Sequence, residues 1–166
     1  QQEISDVLGR DKTSMARVIS IMERDNMITR VTNKNDYRGK LIFIVDDYFT
    51  DTLSAEISRL QNDFISDGWQ VIRYDVSRTD SVPGIKNLIL ADYTADVTNV
   101  KAVCLLGHVP VPYSGNLNPD GHPDHQGAWP TDIYYSELNG NWTDASVNNT
   151  VASRPQNDNI PGDGKF

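Results

Sequence analysis

The first forty residues carry apolar positions at helical spacing and then at strand spacing. A helix is predicted after Asp11, and its apolar positions fall on one buried stripe: Met15, Val18, Ile19 and Met22. A shorter amphipathic helix before it ends at Gly9, a residue that readily adopts the left-handed C-terminal cap. Residues 28–32 and 40–45 read as two strands joined by a turn-rich stretch. The order helix, turn, helix and β-ribbon predicts a winged helix-turn-helix.

From residue 41 onwards the apolar positions come in continuous runs separated by amphipathic stretches. The runs 41–45, 69–74 and 100–106 predict three buried strands. The stretches between them predict two helices, one with Leu53, Ile57, Leu60 and Phe64 on a single face and one that begins at Pro83 and carries Ile85, Leu88 and Ile89. Strands and helices in alternation predict a parallel sheet with right-handed connections.

The two patterns together predict a mixed α/β chain in two parts. Residues 1–43 are predicted to form a winged helix-turn-helix fragment, and residues 44–166 a three-layer α/β fragment with a parallel sheet. Residues 40–45 serve in both patterns, as the returning strand of the ribbon and as the first strand of the sheet. A strand that is shared by two unrelated patterns suggests a recombined, misassembled or artificial sequence.

Charge is divided unevenly between the two parts. Residues 1–40 hold eight Lys and Arg against six Asp and Glu, whereas the rest of the chain holds seven against seventeen. The acidic part repels phosphate, so contacts with nucleic acid are expected only from the first forty residues. No apolar run approaches the roughly 20 residues that a membrane span needs, so no membrane partner is expected.

The basic part resembles the MarR family of transcriptional regulators. The resemblance rests on QQEISDVLGRDKTSMARVISIMERDNMITRVTNKNDYRGKLIF, with the triplet Asp36-Tyr37-Arg38 in the ribbon. It implies that the second helix enters the major groove and that Arg38 enters the minor groove, held by Asp36. The predicted DNA contacts are Lys12, Thr13, Ser14, Arg17, Arg30, Lys34, Asp36 and Arg38. The alternative is that Asp36 and Arg38 are solvated turn residues.

The family binds DNA as a dimer through helices at both ends of its fold. We expect neither of these helices in the chain, since the sequence begins at Gln1 and an unrelated segment follows residue 45. We therefore expect contact with one half-site at most.

Polar residues follow each of the three predicted strands of the acidic part. Asp46, Asp47, Asp75 and His108 would line the carboxyl edge of the sheet, where α/β proteins bind ligands. The alternative is that the aspartates cap the segments that follow. The paired acids also resemble those of a response-regulator receiver, which hold Mg²⁺, but the third strand ends in Leu106-Gly107-His108 and lacks the acceptor carboxylate.

The acidic part resembles the N-terminal portion of gingipain-like peptidase domains over residues 41–166. The motifs are VKAVCLLGHVPVPYSG, PDGHPDHQGAWPTDIYYSELNGNWTD and NIPGDGKF. The resemblance implies a caspase-like fold and a Cys/His dyad on later strands. We expect the chain to end before both residues of this dyad, and therefore expect no enzymatic activity.

Cys104 and His108 are not expected to replace the dyad. On a continuous strand they would lie about 13 Å apart, whereas a nucleophile and its base need roughly 3 Å. Cys104, the single cysteine, is predicted to be a small buried side chain, and His108 lacks the glycine that follows the family's histidine.

The loop around residue 122 is rich in His and Asp side chains, which can ligate metals or form hydrogen bonds. His122, Asp124 and His125 are candidate ligands of a divalent metal cofactor such as zinc or manganese. The alternative is a loop held by its own hydrogen bonds. Residues 157–164 have the composition of a calcium loop but lack its alternating spacing.

These observations favour DNA binding by a MarR-type regulator fragment fused to a catalytically incomplete α/β domain. The alternative is a non-catalytic fragment of a secreted gingipain-like cysteine peptidase domain. Localisation stays open, because the first part suggests the cytoplasm and the second suggests secretion.

Overall fold

A computed structural model describes Met22, residues 37–116 and residues 121–166. The three long strands are β1 (Gly39–Asp46), β2 (Trp69–Val76) and β3 (Val100–Leu106), and the two long helices are α1 (Ser54–Ser66) and α2 (Val82–Ala95). The remaining elements are short: β4 (Tyr113–Ser114), β5 (Trp129–Pro130), helix α3 (Ile133–Ser136) and 3-10 turns at Asp47–Phe49 and Pro155–Asn157.

The three long strands form one parallel sheet in the order β2-β1-β3. Strand β1 pairs with β2 from Gly39 opposite Trp69 to Asp46 opposite Val76, and with β3 from Lys40 opposite Val100 to Val45 opposite Leu106. The central strand therefore donates and accepts hydrogen bonds on both edges. The prediction that residues 41–45 belong to this parallel sheet is confirmed.

Alternate residues of β1 enter two separate apolar clusters. Leu41, Phe43 and Val45 pack with Ile57 of α1, and the ring of Phe43 meets that of Phe64 edge-on at a centroid distance of 5.5 Å. The intervening positions pack on the opposite side of the sheet with α2, in a cluster that contains Ile42, Ile44, Ile85 and Ile89. Helices thus cover both faces, which confirms a mixed α/β fold with a parallel sheet.

Both long helices form where the sequence pattern places them. Helix α1 turns its apolar stripe to the sheet and ends at Ser66, followed by the C-cap residue Asp67 and by Gly68, which adopts a φ of 95°. Helix α2 is capped by the Ser81 hydroxyl, which accepts a hydrogen bond from the N–H of Gly84 at 3.1 Å, and carries Pro83 in its first turn. Proline suits that position because it has no N–H to leave unpaired.

The segment after β3 folds mainly through side chains that bind the backbone. Tyr135 is buried and donates its hydroxyl to the carbonyl of Pro110 at 2.5 Å. Asn149 and Asn159 exchange backbone hydrogen bonds of 2.7 and 2.9 Å, and the Asn159 amide also donates to the Gly115 carbonyl at 2.9 Å. The ring of Phe166 stacks on Tyr134 at a centroid distance of 4.3 Å, which joins this segment to the cluster beneath α2.

The winged helix-turn-helix was predicted for residues that lie almost wholly outside the described ranges, and it stays a prediction. The division of the chain between residues 43 and 44 falls inside β1, so the strand belongs to the sheet on both sides of that boundary. Among the residues that the structure describes, no helix is both long and apolar enough to cross a bilayer.

We expect Ile44→Ala to lower the free energy of unfolding by about 2–5 kcal/mol, because Ile44 is fully buried in the central strand. Urea denaturation followed by circular dichroism measures this. The matched control is Val151→Ala, which truncates a side chain that is 78% exposed and should change stability by no more than about 0.5 kcal/mol. Equal effects of the two substitutions would show that β1 is not the centre of the core.

Candidate functional site

The strand order creates a crevice at the carboxyl end of β1. The chain passes from β1 to β2 on one side and then crosses to β3 on the other, so its direction reverses between β1 and β3. Open α/β sheets bind their ligands at such a reversal, beyond the carboxyl ends of the strands. The residues that meet there are Asp46 from β1, Arg78 from the turn after β2, and Gly107 and His108 after β3.

Asp46 is fully buried at this crevice, and its carboxylate is surrounded by donors. Oδ1 accepts from the backbone N–H of Tyr48 at 3.1 Å, and Oδ2 accepts from the backbone N–H of His108 at 2.8 Å. The guanidinium of Arg78 adds Nε at 2.9 Å and Nη2 at 2.9 Å, both to Oδ2. A buried charge is tolerated only when it is paired and hydrogen-bonded, and both conditions are met.

Arg78 is held on a second side by aromatic rings. Its guanidinium carbon lies 4.2 Å from the ring centroid of Tyr48, within the range of a cation–π interaction. Hydrogen bonding from Arg78 holds the pKa of the Asp46 carboxyl below its ordinary value, and the N–H groups of His108 and Tyr48 act in the same direction against the effect of burial. Asp46 therefore stays ionised and fully paired, so it does not serve as a general base or as an open metal ligand.

Gly107 allows β3 to approach this carboxylate. Its φ is 86°, which favours glycine, and a Cβ at this position would lie 2.5 Å from the Cβ of Asp46. A side chain would therefore push the backbone of His108 away from Asp46.

The four residues predicted at the carboxyl edge have different roles. Asp46 caps the 3-10 turn at Asp47–Phe49, as the capping interpretation predicted. Asp47 is exposed, and the Asp75 carboxylate pairs instead with Arg73 on its own strand at 2.7 Å. His108 donates its backbone N–H to Asp46, whereas the residue itself is exposed to solvent. Only Asp46 and His108 are brought together.

The receiver interpretation finds no support at this edge. Asp46 and Asp47 do not form an open acidic pair, because Arg78 occupies the first of them. Arg78 was not among the predicted site residues. The available signal was a basic residue just after the second strand, facing an edge whose other predicted members were mostly acidic.

Cys104 lies on the α1 side of the sheet, opposite Phe43 in the register, and is partly buried against the cluster around Ile57. Burial raises the pKa of its thiol, which disfavours the reactive thiolate. The separation of about 13 Å assumed one continuous strand through residue 108. Strand β3 ends at Leu106 and Gly107 turns the chain, so that assumption was wrong, although the surroundings of the two side chains still differ.

The candidate metal ligands lie in one exposed turn. The rings of His122 and His125 have centroids 5.2 Å apart, and Asp124 Oδ2 lies 4.0 Å from His125 Nε2. Within residues 37–116 and 121–166, no group of three His, Cys, Asp or Glu side chains is arranged to hold a metal ion. A site with three protein ligands stays a prediction.

The carboxylates in and near residues 157–164, which have the composition of a calcium loop, bind the chain itself. Asp144 accepts from the N–H groups of Gly162 and Gly164 at 2.8 and 2.6 Å, one to each oxygen. Asp163 accepts from the N–H of Ile160 at 3.1 Å and from the Lys165 ammonium at 3.0 Å. These bonds hold the loop to the rest of the segment.

Arg38 is the one predicted DNA contact within the described residues. Its Nε lies 3.6 Å from Asp67 Oδ2, and both side chains are more than half exposed. The backbone N–H of Arg38 donates to the Gly68 carbonyl at 2.9 Å, at the amino edge of the sheet and opposite the crevice. The other predicted contacts, from Lys12 to Asp36, lie outside the described residues.

Comparisons of the chain with models of protein families, with curated proteins and with solved structures find no match.

We expect the stability of the fold to decrease in acid partly through Asp46. Its folded pKa is lowered, so its contribution is complete above the ordinary aspartate pKa of about 3.9 and is lost as the pH falls through the lower folded value. Denaturation midpoints are measured from about pH 6 downwards, so that the series begins above the ordinary aspartate pKa. They should decrease less steeply in Asp46→Asn than in wild type. Asp47→Asn, which neutralises the exposed neighbour, is the control. Identical slopes in wild type and Asp46→Asn would contradict this assignment.

Proposed function

We propose that residues 41–166 form the amino-terminal, non-catalytic part of a gingipain-like cysteine peptidase domain, and that they carry no peptidase activity by themselves. The observation that carries the proposal is the position of β1. Residues 41–45, which both predicted parts of the chain could use, lie at the centre of the parallel sheet with a strand on each edge.

The packing of β1 favours the peptidase interpretation over a winged-helix ribbon. A ribbon strand pairs with an antiparallel neighbour, whereas β1 pairs in parallel on both sides and is buried along nearly its whole length. The resemblance extends over residues 41–166, and the motifs that carry it begin in β3 and continue to Phe166. The motifs therefore cover β3 and the segment that packs beneath α2, and the range of the resemblance also includes most of β1, strand β2 and both long helices.

The chemistry of the crevice is consistent with a supporting role. Asp46 and Arg78 neutralise each other, and their geometry joins the ends of all three strands. The sulfur of Cys104 lies in the apolar layer under α1 and not at this edge. Neither an activated nucleophile nor a base paired with one is present among the described side chains of the crevice.

We expect no hydrolysis of fluorogenic peptides with Arg or Lys at the cleavage position. Wild type, Cys104→Ala and His108→Ala should all match the buffer blank, because neither residue is activated by the other. Cys104 should also react with an aromatic disulfide reagent more slowly in the native protein than in urea, since burial raises the pKa of its thiol. Hydrolysis that disappears when Cys104 is alkylated would overturn the proposal.

We also propose, as a second function, weak binding of duplex DNA by residues 1–43. The structural observation in its favour is the accessibility of Arg38, whose side chain is 56% exposed. Its ion pair with Asp67 lies in solvent, where such pairs contribute little, so the guanidinium is available to a phosphate. The remaining support is the resemblance to the MarR family.

We expect duplex DNA to bind with a Kd of about 10⁻⁴ to 10⁻⁶ M and to dissociate as salt rises. Arg38→Ala should weaken binding and flatten the salt dependence by about one unit. Fluorescence anisotropy at several salt concentrations measures both quantities. Arg59→Ala, which removes an equal charge from the exposed surface of α1, is the control and should change neither. Absence of DNA binding at low salt, or an equal loss of affinity in Arg38→Ala and Arg59→Ala, would contradict this second function.

A further inference from the structure

We propose that the turn from His122 to His125 binds one divalent transition-metal ion through both imidazoles, with Cu²⁺ preferred. This inference does not depend on the proposed function, because it rests on the geometry of one exposed loop. It differs from the three-ligand site predicted from sequence, since water completes the coordination.

The backbone of the turn fixes the two histidines on the same side. The N–H of His125 donates to the carbonyl of His122 at 3.0 Å, which closes a β-turn with Pro123 and Asp124 at its centre. Proline at the second position sets φ in advance, and aspartate is common in such turns. The ring centroids of His122 and His125 consequently lie 5.2 Å apart, with a tilt of 48° between the planes.

This separation matches two imidazoles on a single ion. A metal–nitrogen bond of about 2.0–2.1 Å places each ring centroid roughly 3 Å from the metal, so two rings on one ion have centroids no more than roughly 6 Å apart. The observed distance falls within this limit.

The turn is anchored to the rest of the segment. Trp129 donates its indole N–H to the His125 carbonyl at 2.9 Å, and its ring lies 5.5 Å from the His125 ring. The N–H of Gln126 donates to the Ser153 hydroxyl at 2.8 Å, and the N–H of Ser153 donates back to the Gln126 carbonyl at 3.2 Å. A turn held in this way loses little further conformational entropy when it binds a ligand.

Charge and exposure favour a cation. His125 is 42% exposed at its side chain and Asp124 is 80% exposed, so an ion reaches the turn from solvent. The carboxylate of Asp124, with Oδ2 4.0 Å from His125 Nε2, adds negative potential beside the rings. Cu²⁺ leads the affinity series of the divalent first-row metals for such nitrogen ligands, so it is the ion that the two imidazoles favour.

Tryptophan fluorescence provides the test, because a paramagnetic Cu²⁺ ion on His125 would quench the neighbouring Trp129. Untagged protein in a Cys104→Ala background, which removes the thiol, is titrated with CuCl₂. We expect quenching that saturates at one equivalent and is largely lost in Trp129→Phe. Ca²⁺ and Mg²⁺ should have no effect, since they prefer oxygen ligands.

The histidine variants decide which residues bind. Mutation of residues that only orient a metal ligand costs about 10- to 100-fold in affinity, so His122→Ala and His125→Ala should each weaken Cu²⁺ binding at least about tenfold. His108→Ala is the matched control and should bind as tightly as the parent. Isothermal titration calorimetry repeats the comparison independently of Trp129, and circular dichroism verifies that each variant is folded. Unchanged affinity in both His122→Ala and His125→Ala, or its loss in His108→Ala, would overturn the proposal.

Discussion

The burial of β1 on both faces is the constraint on which the rest of the described structure depends. A strand in this position needs apolar side chains at successive positions, and Leu41, Ile42, Phe43, Ile44 and Val45 supply them. Its odd positions pack under α1 and its even positions face α2. Each cluster therefore needs its own helix, and the chain must cross the sheet between β2 and β3 to place them on opposite sides.

The same central position explains why a charge is buried at the end of β1. Asp46 continues the alternation of the strand and falls where the three strand ends converge. Arg78 and the backbone N–H groups of Tyr48 and His108 replace the water that it loses. Removing one partner would leave an uncompensated buried charge, which is far more costly than the loss of a surface pair. The carboxylate thus joins β1 to the turns that follow β2 and β3.

The segment after β3 is stabilised in a different way. Its regular elements are short, and its backbone is held largely by single side chains such as Tyr135, Asn159 and Asp144. Lys86 of α2 adds a contact across the interface, because its ammonium donates to the carbonyls of Tyr134 and Glu137 at 2.7 and 2.8 Å. This contact buries the ammonium, and burial lowers the pKa of Lys86. Irregular backbone of this kind needs a partner for each buried polar group, and these side chains provide it.

The sequence by itself determined the sheet and its helices. Apolar runs, amphipathic spacing, Pro83 and Gly68 specify local structure, and such signals act over a few residues, so they can be read without knowledge of the fold. The sequence also determined the edge of the sheet at which Asp46 and His108 meet, because parallel strands place their carboxyl ends together. Only the tertiary structure decided that Arg78 neutralises Asp46, since residues 32 apart become neighbours only once β1 and β2 are paired. The packing of both faces of residues 41–45 also excluded their pairing in a ribbon, because an apolar pentamer fits either a ribbon or a sheet until the faces that bury it exist.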